Sequence, residues 1–377
     1  MIYKLPTTIY DGTNCIAEHA DVFCKCGAKA LIVTGRNSSK INGSLDDVIK
    51  ALDKQDIQWV VYDKVEENPS VETVYDASIL GMRQKVDFVI GIGGGSPIDA
   101  AKAIAILIAE ASTAISEGII RDVQFDWALE LLYAQDIKVN NLPVVAVPTT
   151  CGTGSEATGV SVLTLHSKKT KASLPHRVFP DYSFVDGKYL KYAPFDVITA
   201  TAIDALGHII ESYVNTNCND YVRMFVDAGL SVWSRSLDVL LGNRQPEAED
   251  YANLMTASTL AGMCIAHAGT TIPHSLSYSV TYRYHIVHGL AIGHFLPGYI
   301  KYADKASREY ILTRSGFVDS QGIPSMEMFE EFIAMYCGFG DIDADIKTQI
   351  INSVLHNKDK LKLCPYELNY EILNDMW

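Results

Sequence analysis

Four short runs of β-branched and other apolar residues constrain the fold of this chain more than any other feature. The runs are ALIVTG (30–35), IQWVVYD (57–63), VDFVIGIGG (86–94) and PVVAVPTT (143–150). Helical patterns alternate with them, as at 44–54 and 97–110. Short, continuously apolar strands separated by helices are typical of a parallel sheet that is covered on both faces. The first half of the chain is therefore predicted to be an α/β domain.

The second half has a different texture, because strand signals fade after about residue 187 and helical patterns follow. These patterns cover 198–214, 220–241, 249–268, 326–337, 343–356 and 366–375. A chain of 377 residues is long enough for two domains of roughly 100–200 residues each. We expect an α/β domain over 1–185 and an all-α domain over 186–377.

The balance of charged and apolar residues excludes some partners. Hydrophobic residues make up 48% of the chain and charged residues 20%, and the formal net charge is −14. Such a charge argues against nucleic acid or an anionic membrane as partner. No apolar run approaches the length of a membrane-spanning helix, and the N-terminal stretch MIYKLPTTIYDG lacks the layout of a signal peptide. We therefore expect a cytoplasmic protein.

A run of glycines at 93–95 follows the third predicted strand and precedes a helix, within VIGIGGGSPIDAAKA (89–103). Gly93, Gly94 and Gly95 permit positive φ and allow a ligand to approach the bare backbone. The run differs from the Rossmann pattern GxGxxG, because Ser96 stands at the third glycine position. A dinucleotide site here would belong to another lineage, and a tight turn with no ligand is the alternative.

The residues after the glycines predict how the helix begins. Ser96 suits the N-cap, Pro97 the first helical position, and Asp99 the closing position of a capping box. The free N–H groups and the positive dipole end of such a helix favour a pyrophosphate.

A second stretch, VPTTCGTGSEATGVSVLT (147–164), follows the fourth predicted strand and is rich in glycine and hydroxyl groups. Two such turns after neighbouring strands suit a ligand that lies across the carboxyl edge of a sheet. An ordinary polar loop is the alternative. The hydroxyl groups available to phosphate, ribose or carboxamide belong to Thr149, Thr150, Thr153, Ser155 and Thr158.

The segment TGRNSSK (34–40) after the first strand bears on the choice of nucleotide. NAD sites commonly place a carboxylate near the adenine ribose, and no carboxylate occurs in this segment. Its composition suits a 2′-phosphate, so NADP(H) is preferred over NAD(H), with an exposed basic loop as the alternative. The candidate residues are Gly35, Arg36, Ser38, Ser39 and Lys40.

Asp204 and His208 stand four residues apart in the apolar helical stretch TAIDALGHIIESYVN (201–215), so both project from one face. Glu211 lies three residues further along that face, where we expect it to orient His208. Imidazoles and a carboxylate suit a divalent first-row metal such as Fe(II) or Zn(II). A hydrogen-bonded pair in the core is the alternative.

Five of the ten histidines cluster downstream between 267 and 294. Their residue types alone leave open which of them bind a metal, and a histidine-rich surface is the alternative. They are His267, His274, His285, His288 and His294.

Four motifs occurring in order make the chain resemble the iron-containing alcohol dehydrogenases. They are GGGSPIDAAKA, PTTCGTGSEATG, DALGHIIESY and GTTIPHSLSY…HGLAIGHFLP. The resemblance implies a dehydroquinate synthase-like fold, with a nucleotide-binding α/β domain and a helical metal-binding domain, and a homodimer. It also implies that the metal ligands fall on Asp204, His208, His274 and His288.

The same resemblance carries over cofactor positions and one departure from the family pattern. Gly35 is similar to the glycine of NADP-preferring members. Many members have a histidine four residues after the third ligand, where this chain has Tyr278, which we expect to be at most a hydrogen-bond relay because its reference pKa is about 10. The implied cofactor residues are Asn68, Gly94, Gly95, Ser96, Thr149, Thr158 and Lys171.

The expected activity is direct hydride transfer between a nicotinamide cofactor and a small primary alcohol or diol, with the aldehyde as the oxidised partner. A lyase of the dehydroquinate synthase type is the rival, although few basic residues occur around 201–215 or 270–296 to bind its phosphorylated substrates. A cofactor-binding protein without catalysis is a third reading.

Overall fold

A computed structural model describes residues 4–168, 170–340 and 342–377. The chain forms two compact units. The first runs to Thr150 and continues over Gly154–Ala193, and the second combines Cys151–Thr153 with Pro194–Trp377. Residues 186–193 thus pack with the first unit.

The described residues of the first unit form eight strands: β1 Thr8–Asp11, β2 Lys29–Thr34, β3 Gln58–Tyr62, β4 Phe88–Gly93, β5 Val144–Pro148, β6 Val162–Leu165, β7 Thr170–Ser173 and β8 Tyr182–Val185. Six of them form a fully parallel sheet in the order β1-β8-β5-β4-β2-β3. The remaining two, β6 and β7, pair antiparallel as a separate ribbon.

The predicted parallel α/β sheet is confirmed, and its two faces are both covered. In β2, Leu31 and Val33 pack into one apolar core, whereas Ala30 and Ile32 pack into a second core on the opposite face. Successive side chains of a strand point to opposite faces, so a strand buried on both sides needs the continuous apolar run that predicted it.

The sequence patterns did not reveal the two outermost strands at one side of the sheet. Both β1 and β8 contain only four residues, and two residues of β1 are exposed. β1 is a short, half-exposed edge strand, and β8 is buried but equally short, so neither carries much periodic signal.

Helices flank the sheet in the first unit. The longest of them, over Gly95–Ser116, is buried along most of its length. The α-helices are α1 Cys15–Glu18, α2 Ser38–Ile41, α3 Ser44–Lys54, α4 Val71–Gln84, α5 Gly95–Ser116 and α6 Phe125–Tyr133. Short 3₁₀ helices cover Ala20–Lys25, Ser155–Ala157, His166–Lys168 and Gly187–Leu190.

The second unit is helical in every element that the structure describes. Its helices are α7 Phe195–Tyr213, α8 Asp220–Ser234, α9 Leu237–Leu240, α10 Ala248–Ala268, α11 Ile272–Tyr284, α12 His288–Lys301, α13 Lys305–Ser315, α14 Met326–Tyr336, α15 Ala344–His356, α16 Lys358–Leu361 and α17 Tyr370–Asp375. The helix predicted over 220–241 is in fact two, α8 and α9, and the patterns did not delimit α11, α12 and α13.

Helix α7 is central to this unit, because it packs against α8, α10 and α12. Glycines allow α7 and α12 to approach closely. A Cβ at Gly207 would lie 2.7 Å from Ile292, and one at Gly293 would lie 2.6 Å from Ile203. No helix in the described part of the chain combines the length and apolar character that a bilayer span needs.

Candidate metal and cofactor sites

Asp204 and His208 lie on one face of α7, and both side chains are buried. The Nε2 atom of His208 is 3.8 Å from Oδ1 of Asp204. The i, i+4 spacing therefore brings the two groups together as predicted.

His288 reaches the same place because the next residue is glycine. A Cβ at Gly289 would lie 1.9 Å from the carbonyl oxygen of Ala200 and 3.1 Å from Cβ of Asp204. Only a residue without a side chain allows the first turn of α12 to rest on α7 at this point. The glycine that directly follows His288 is thus a local sequence signal for the site, beyond the spacing of the histidines.

The ligand atoms of Asp204, His274 and His288 all lie within 4.8 Å of one another. His208 contacts two members of this group, since its Nε2 lies 2.9 Å from Nε2 of His274. The Nε2 of His274 is also 3.8 Å from Oδ1 of Asp204. Donors about 2.1 Å from one ion are separated by roughly 3–4 Å, so these spacings suit a single cation.

The carboxylate of Asp204 provides the test of whether a cation fits here. Its Oδ1 is buried and has no hydrogen-bond partner among the described residues. A buried carboxylate oxygen without a donor is costly unless a positive charge satisfies it. One carboxylate and imidazole nitrogens are a donor set for a divalent first-row metal. The residues present therefore fit the metal that the resemblance implies.

Glu211 contacts His274 and not His208, so the expected role beside His208 is wrong. Its Oε1 accepts a hydrogen bond from Nδ1 of His274, and its Oε2 accepts one from the backbone N–H of Thr271 at 2.5 Å. The Nδ1 atom of His208 instead lies 3.3 Å from the carbonyl oxygen of Gly152. Helix α11 thus supplies the partner of Glu211, which the pattern on α7 alone could not indicate.

Burial governs the protonation of this pair. It raises the pKa of Glu211 to about 7, against the hydrogen bonds from Thr271 that favour the carboxylate. Burial, and then the neighbouring His208, hold the pKa of His274 well below its usual range. His274 is therefore neutral near pH 7, which is the form that binds metals.

The other three downstream histidines have different surroundings and are absent from the group found among the described residues. Nδ1 of His267 lies 3.1 Å from the carbonyl oxygen of Met263. Nε2 of His294 lies 3.0 Å from that of Trp377. His285 is exposed and ends α11 with φ +55°.

Tyr278 lies beside the group as an aromatic neighbour. Its ring stacks on that of His288, with centroids 5.8 Å apart and planes 7° apart, and it meets His274 edge-on at 6.3 Å. The ring of Tyr278 therefore packs on two candidate ligands, His274 and His288.

In the first unit, the glycine turn connects β4 to α5, but the helix begins earlier than predicted. Gly94 is the N-cap and Gly95 the first helical residue, so Ser96 and Pro97 lie within the first turn. Gly93 has φ +147°, and a Cβ there would lie 2.6 Å from Cγ of Pro97. The bare N-terminus of a long helix is present at this position.

Asp99 does not form the predicted capping box. Its Oδ1 accepts a hydrogen bond from Oγ of Ser155 at 2.6 Å, and its Oδ2 accepts one from the backbone N–H of Val162 at 2.8 Å. Asp99 therefore connects α5 to the second candidate segment.

Three predicted cofactor residues from distant parts of the sequence lie together. Ser96 Oγ accepts a hydrogen bond from the backbone N–H of Asn68 at 3.0 Å, and Lys171 Nζ donates to Oδ1 of Asn68 at 2.7 Å. Asn68 has φ +59°, which asparagine tolerates better than most residues. Burial lowers the pKa of Lys171.

Among the predicted hydroxyl residues, Thr150 is partly exposed, whereas Thr149 and Thr158 are buried. The backbone N–H of Thr149 donates to the carbonyl oxygen of Gly93 at 2.9 Å, which joins the two turns. A Cβ at Gly94 would lie 3.0 Å from Oγ1 of Thr150, so that hydroxyl borders the glycine turn. Thr158 is buried, with Oγ1 3.5 Å from Nζ of Lys102.

The segment predicted to bind a 2′-phosphate has a carboxylate nearby after all. Asp63, which follows β3, pairs with Lys40 at 2.6 Å. Ser39 is buried and accepts a hydrogen bond from Oγ1 of Thr34 at 2.8 Å. Arg36 and Ser38 are exposed. Sequence proximity missed Asp63 because the neighbouring strand brings it there.

Comparisons with known proteins agree along most of the chain. Residues 6–187 match the family model for iron-containing alcohol dehydrogenase, and residues 198–341 match the C-terminal model of the Fe-containing alcohol dehydrogenase family. The 1,3-propanediol dehydrogenase of Citrobacter freundii is 31% identical over 87% of this chain and 82% of its own length. The chain belongs to the iron-containing alcohol dehydrogenase family.

Further relatives of this iron-containing alcohol dehydrogenase support its reaction class. The NADPH-dependent butanol dehydrogenase of Clostridium saccharobutylicum is 29% identical over 88% of this chain and 82% of its own length. The crystal structure of an iron-containing alcohol dehydrogenase from Thermotoga maritima matches with a TM-score of 0.85 at 31% identity, over 100% of this chain and 98% of that one. The chain is thus an NAD(P)-linked oxidoreductase acting on alcohols, and the lyase reading is set aside.

Proposed function

We propose that this enzyme interconverts small primary alcohols or diols and their aldehydes, with a metal held by the second unit and NADP(H) held by the first. The observation that carries the proposal is the buried Oδ1 of Asp204, which faces imidazole nitrogens and no hydrogen-bond donor among the described residues.

Asp204, His208, His274 and His288 would hold the metal, Fe(II) with Zn(II) as a substitute. When bound, the metal would supply Lewis acidity that favours the alkoxide form of an alcohol near neutral pH. Asp204 contributes the negative charge that offsets the cation. Glu211 accepts from Nδ1 of His274 and leaves Nε2 free to bind. The side chains of Glu211 and His274 are both buried, so the electrostatic interaction between them is strong.

The first unit would bind the nucleotide at the start of α5. The cofactor's nicotinamide would supply the hydride donor or acceptor. Backbone N–H groups from Gly94 to Ser96 suit a pyrophosphate, while Asn68 and Lys171 border the same turn. The remaining proposed contacts are Gly93, Asp99, Thr149, Thr150 and Thr158.

The preference for NADP(H) over NAD(H) rests on Gly35 and Arg36 after β2. Gly35 has no side chain to occupy the space of a 2′-phosphate, and Arg36 is an exposed cation. Lys40 contributes less than its sequence position suggests, because Asp63 already neutralises it. Ser38 remains an exposed hydroxyl, whereas Ser39 is buried.

The substrate class follows from the relatives named for butanol and for 1,3-propanediol. We propose small primary alcohols or diols on that ground, and a cytoplasmic homodimer on the ground of the family resemblance. We treat the two units as the nucleotide-binding and metal-binding domains.

An anaerobic assay of the iron-loaded enzyme tests the proposal. NADPH oxidation would be followed by the loss of its absorbance against a panel of small aldehydes, with NADH in parallel. We expect turnover that depends on iron and is faster with NADPH at low cofactor concentration. Iron-loaded enzyme that oxidises neither NADPH nor NADH with any of these aldehydes would contradict the proposed substrate class.

A further inference from the structure

Lys102 is a fully buried lysine of α5 that the proposed reaction does not use. Its Nζ donates to the carbonyl oxygen of Ser155 at 2.8 Å, to Oγ of Ser155 at 2.7 Å and to the carbonyl oxygen of Val160 at 2.7 Å. Oγ1 of Thr158 is a more distant fourth neighbour at 3.5 Å. An ammonium group has three hydrogens, so these acceptors satisfy it.

All four acceptors belong to the segment 155–160. Asp99, one turn earlier on α5, holds the same segment through Oγ of Ser155 and holds the residues that follow it through the backbone N–H of Val162. Oγ of Ser155 donates to Asp99 and accepts from Lys102, so one hydroxyl joins the two side chains. Asp99 Oδ1 and Lys102 Nζ are 3.7 Å apart and form an ion pair.

Stability by itself does not explain why a charged side chain occupies position 102. Burial lowers the pKa of Lys102 to about 8, although Asp99 opposes the change. An apolar side chain of similar volume often replaces a buried ion pair with no loss of stability. What an apolar side chain cannot do is fix three carbonyl and hydroxyl oxygens of a glycine-flanked loop in one arrangement.

We propose that Lys102 is a positioning residue of the cofactor site, which fixes the segment 155–160 against α5 and so holds the turn after β5 beside the helix N-terminus that would receive the pyrophosphate. The inference rests on the proposed function. Lys102 thereby connects the two turns of the proposed site, because α5 begins at the glycine turn and 155–160 continues the turn after β5, in which Thr150 borders Gly94. Lys102 itself is too buried to touch the ligand.

The test compares Lys102→Met with Leu107→Ala. Leu107 is buried in the same helix, within the apolar core, so its truncation lowers stability without touching the segment. We would measure NADPH affinity by fluorescence titration and amide hydrogen exchange of 155–162, at a temperature where both variants are folded. We expect Lys102→Met to weaken NADPH binding about tenfold and to accelerate exchange at Val162, since each lost charged hydrogen bond frees the loop. Leu107→Ala should leave affinity within about twofold.

Ser155→Ala provides a second variant should Lys102→Met not fold, because it removes only the hydroxyl that links Asp99 and Lys102. We expect a smaller loss of affinity in the same direction and faster exchange at Val162. Wild-type affinity in folded Lys102→Met, or in Ser155→Ala if that is the variant available, would overturn the inference. So would an equal loss in Leu107→Ala. Wild-type protein that binds neither NADPH nor NADH would overturn the proposed function instead.

Discussion

The carboxylate of Glu211 accepts a hydrogen bond from Nδ1 of His274 and so determines which imidazole nitrogen is free to bind a cation. The second carboxylate oxygen is held by the backbone N–H and the hydroxyl of Thr271, at 2.5 and 3.0 Å. Glu211 is fully buried, so water cannot take over these contacts. The tautomer and the orientation of His274 are therefore fixed before a metal arrives.

Glu211→Gln should weaken metal binding by about 10–100-fold, as loss of such a partner typically does. The amide must direct its NH₂ group either at Nδ1–H of His274 or at the N–H of Thr271, and both are donors. Competitive titration of the metal-free protein with a chelator measures the affinity. Asp250→Asn is the control, because Asp250 is also buried in this unit but pairs with Arg244. Equal affinity in wild type and Glu211→Gln would contradict the assigned role.

Replacement of single histidines by alanine should separate ligands from bystanders. We expect His274→Ala and His288→Ala to remain largely folded but to lose bound metal and activity, because each removes one donor of the group. His208→Ala should behave in the same way if its Nε2, 2.9 Å from that of His274, is the fourth donor. His267→Ala should retain metal. Elemental analysis gives the stoichiometry, and full turnover by metal-free His274→Ala would refute the mechanism.

Two substitutions near β2 should shift nucleotide preference in opposite directions. Arg36→Ala should weaken NADPH binding by about fivefold to tenfold and leave NADH binding unchanged, because an exposed cation contributes modestly. Asp63→Asn should strengthen NADPH binding by up to about fivefold, because it releases Lys40 from its 2.6 Å ion pair. Fluorescence titrations with both nucleotides decide the matter. Parallel changes for NADPH and NADH would show that these residues do not contact the 2′-phosphate.

Tyr278→Phe should change kcat by less than about threefold. The substitution keeps the ring that stacks on His288 and removes only the hydroxyl, whose reference pKa of about 10 makes it a poor base. Loss of a proton relay would instead lower kcat by about 100-fold or more. Pre-steady-state measurements with deuterated substrate would exclude a change in rate-limiting step.

The α/β half was predictable from sequence because burial on both faces of a strand leaves a continuous apolar run, as in β2 and β4. The pairing of Asp204 with His208 was predictable for a similar reason, since helical geometry places i and i+4 together. The glycine turn at 93–95 was predictable as well, because three glycines between an apolar run and a helical pattern are visible in the sequence itself.

Contacts between distant segments could not be predicted in this way. Glu211 projects from the same helix as His208, but α11 brings His274 to it. Asp99 has the spacing of a capping residue, yet its carboxylate accepts hydrogen bonds from Oγ of Ser155 and the backbone N–H of Val162. In each case the local sequence pattern predicted a partner on the same helix, whereas the observed partner comes from a distant segment of the chain. The family resemblance, rather than periodicity, selected two of the five downstream histidines.

The ion pair of Arg244 and Asp250 gives a prediction for stability against pH. Arg244 donates two hydrogen bonds of 2.6 Å to the carboxylate, and these lower the pKa of Asp250 below its ordinary 3.8. A carboxyl group with a lowered folded-state pKa stabilises the protein above its unfolded-state pKa, and this contribution is lost as the pH falls through the folded value. Asp250→Asn should therefore reduce the free energy of unfolding by about 1–2 kcal/mol at pH 7, since Asp250 also caps α10, and by less at pH 3. Urea unfolding of the metal-free proteins at both pH values measures the difference, and one that does not depend on pH would show that the charge of Asp250 contributes nothing.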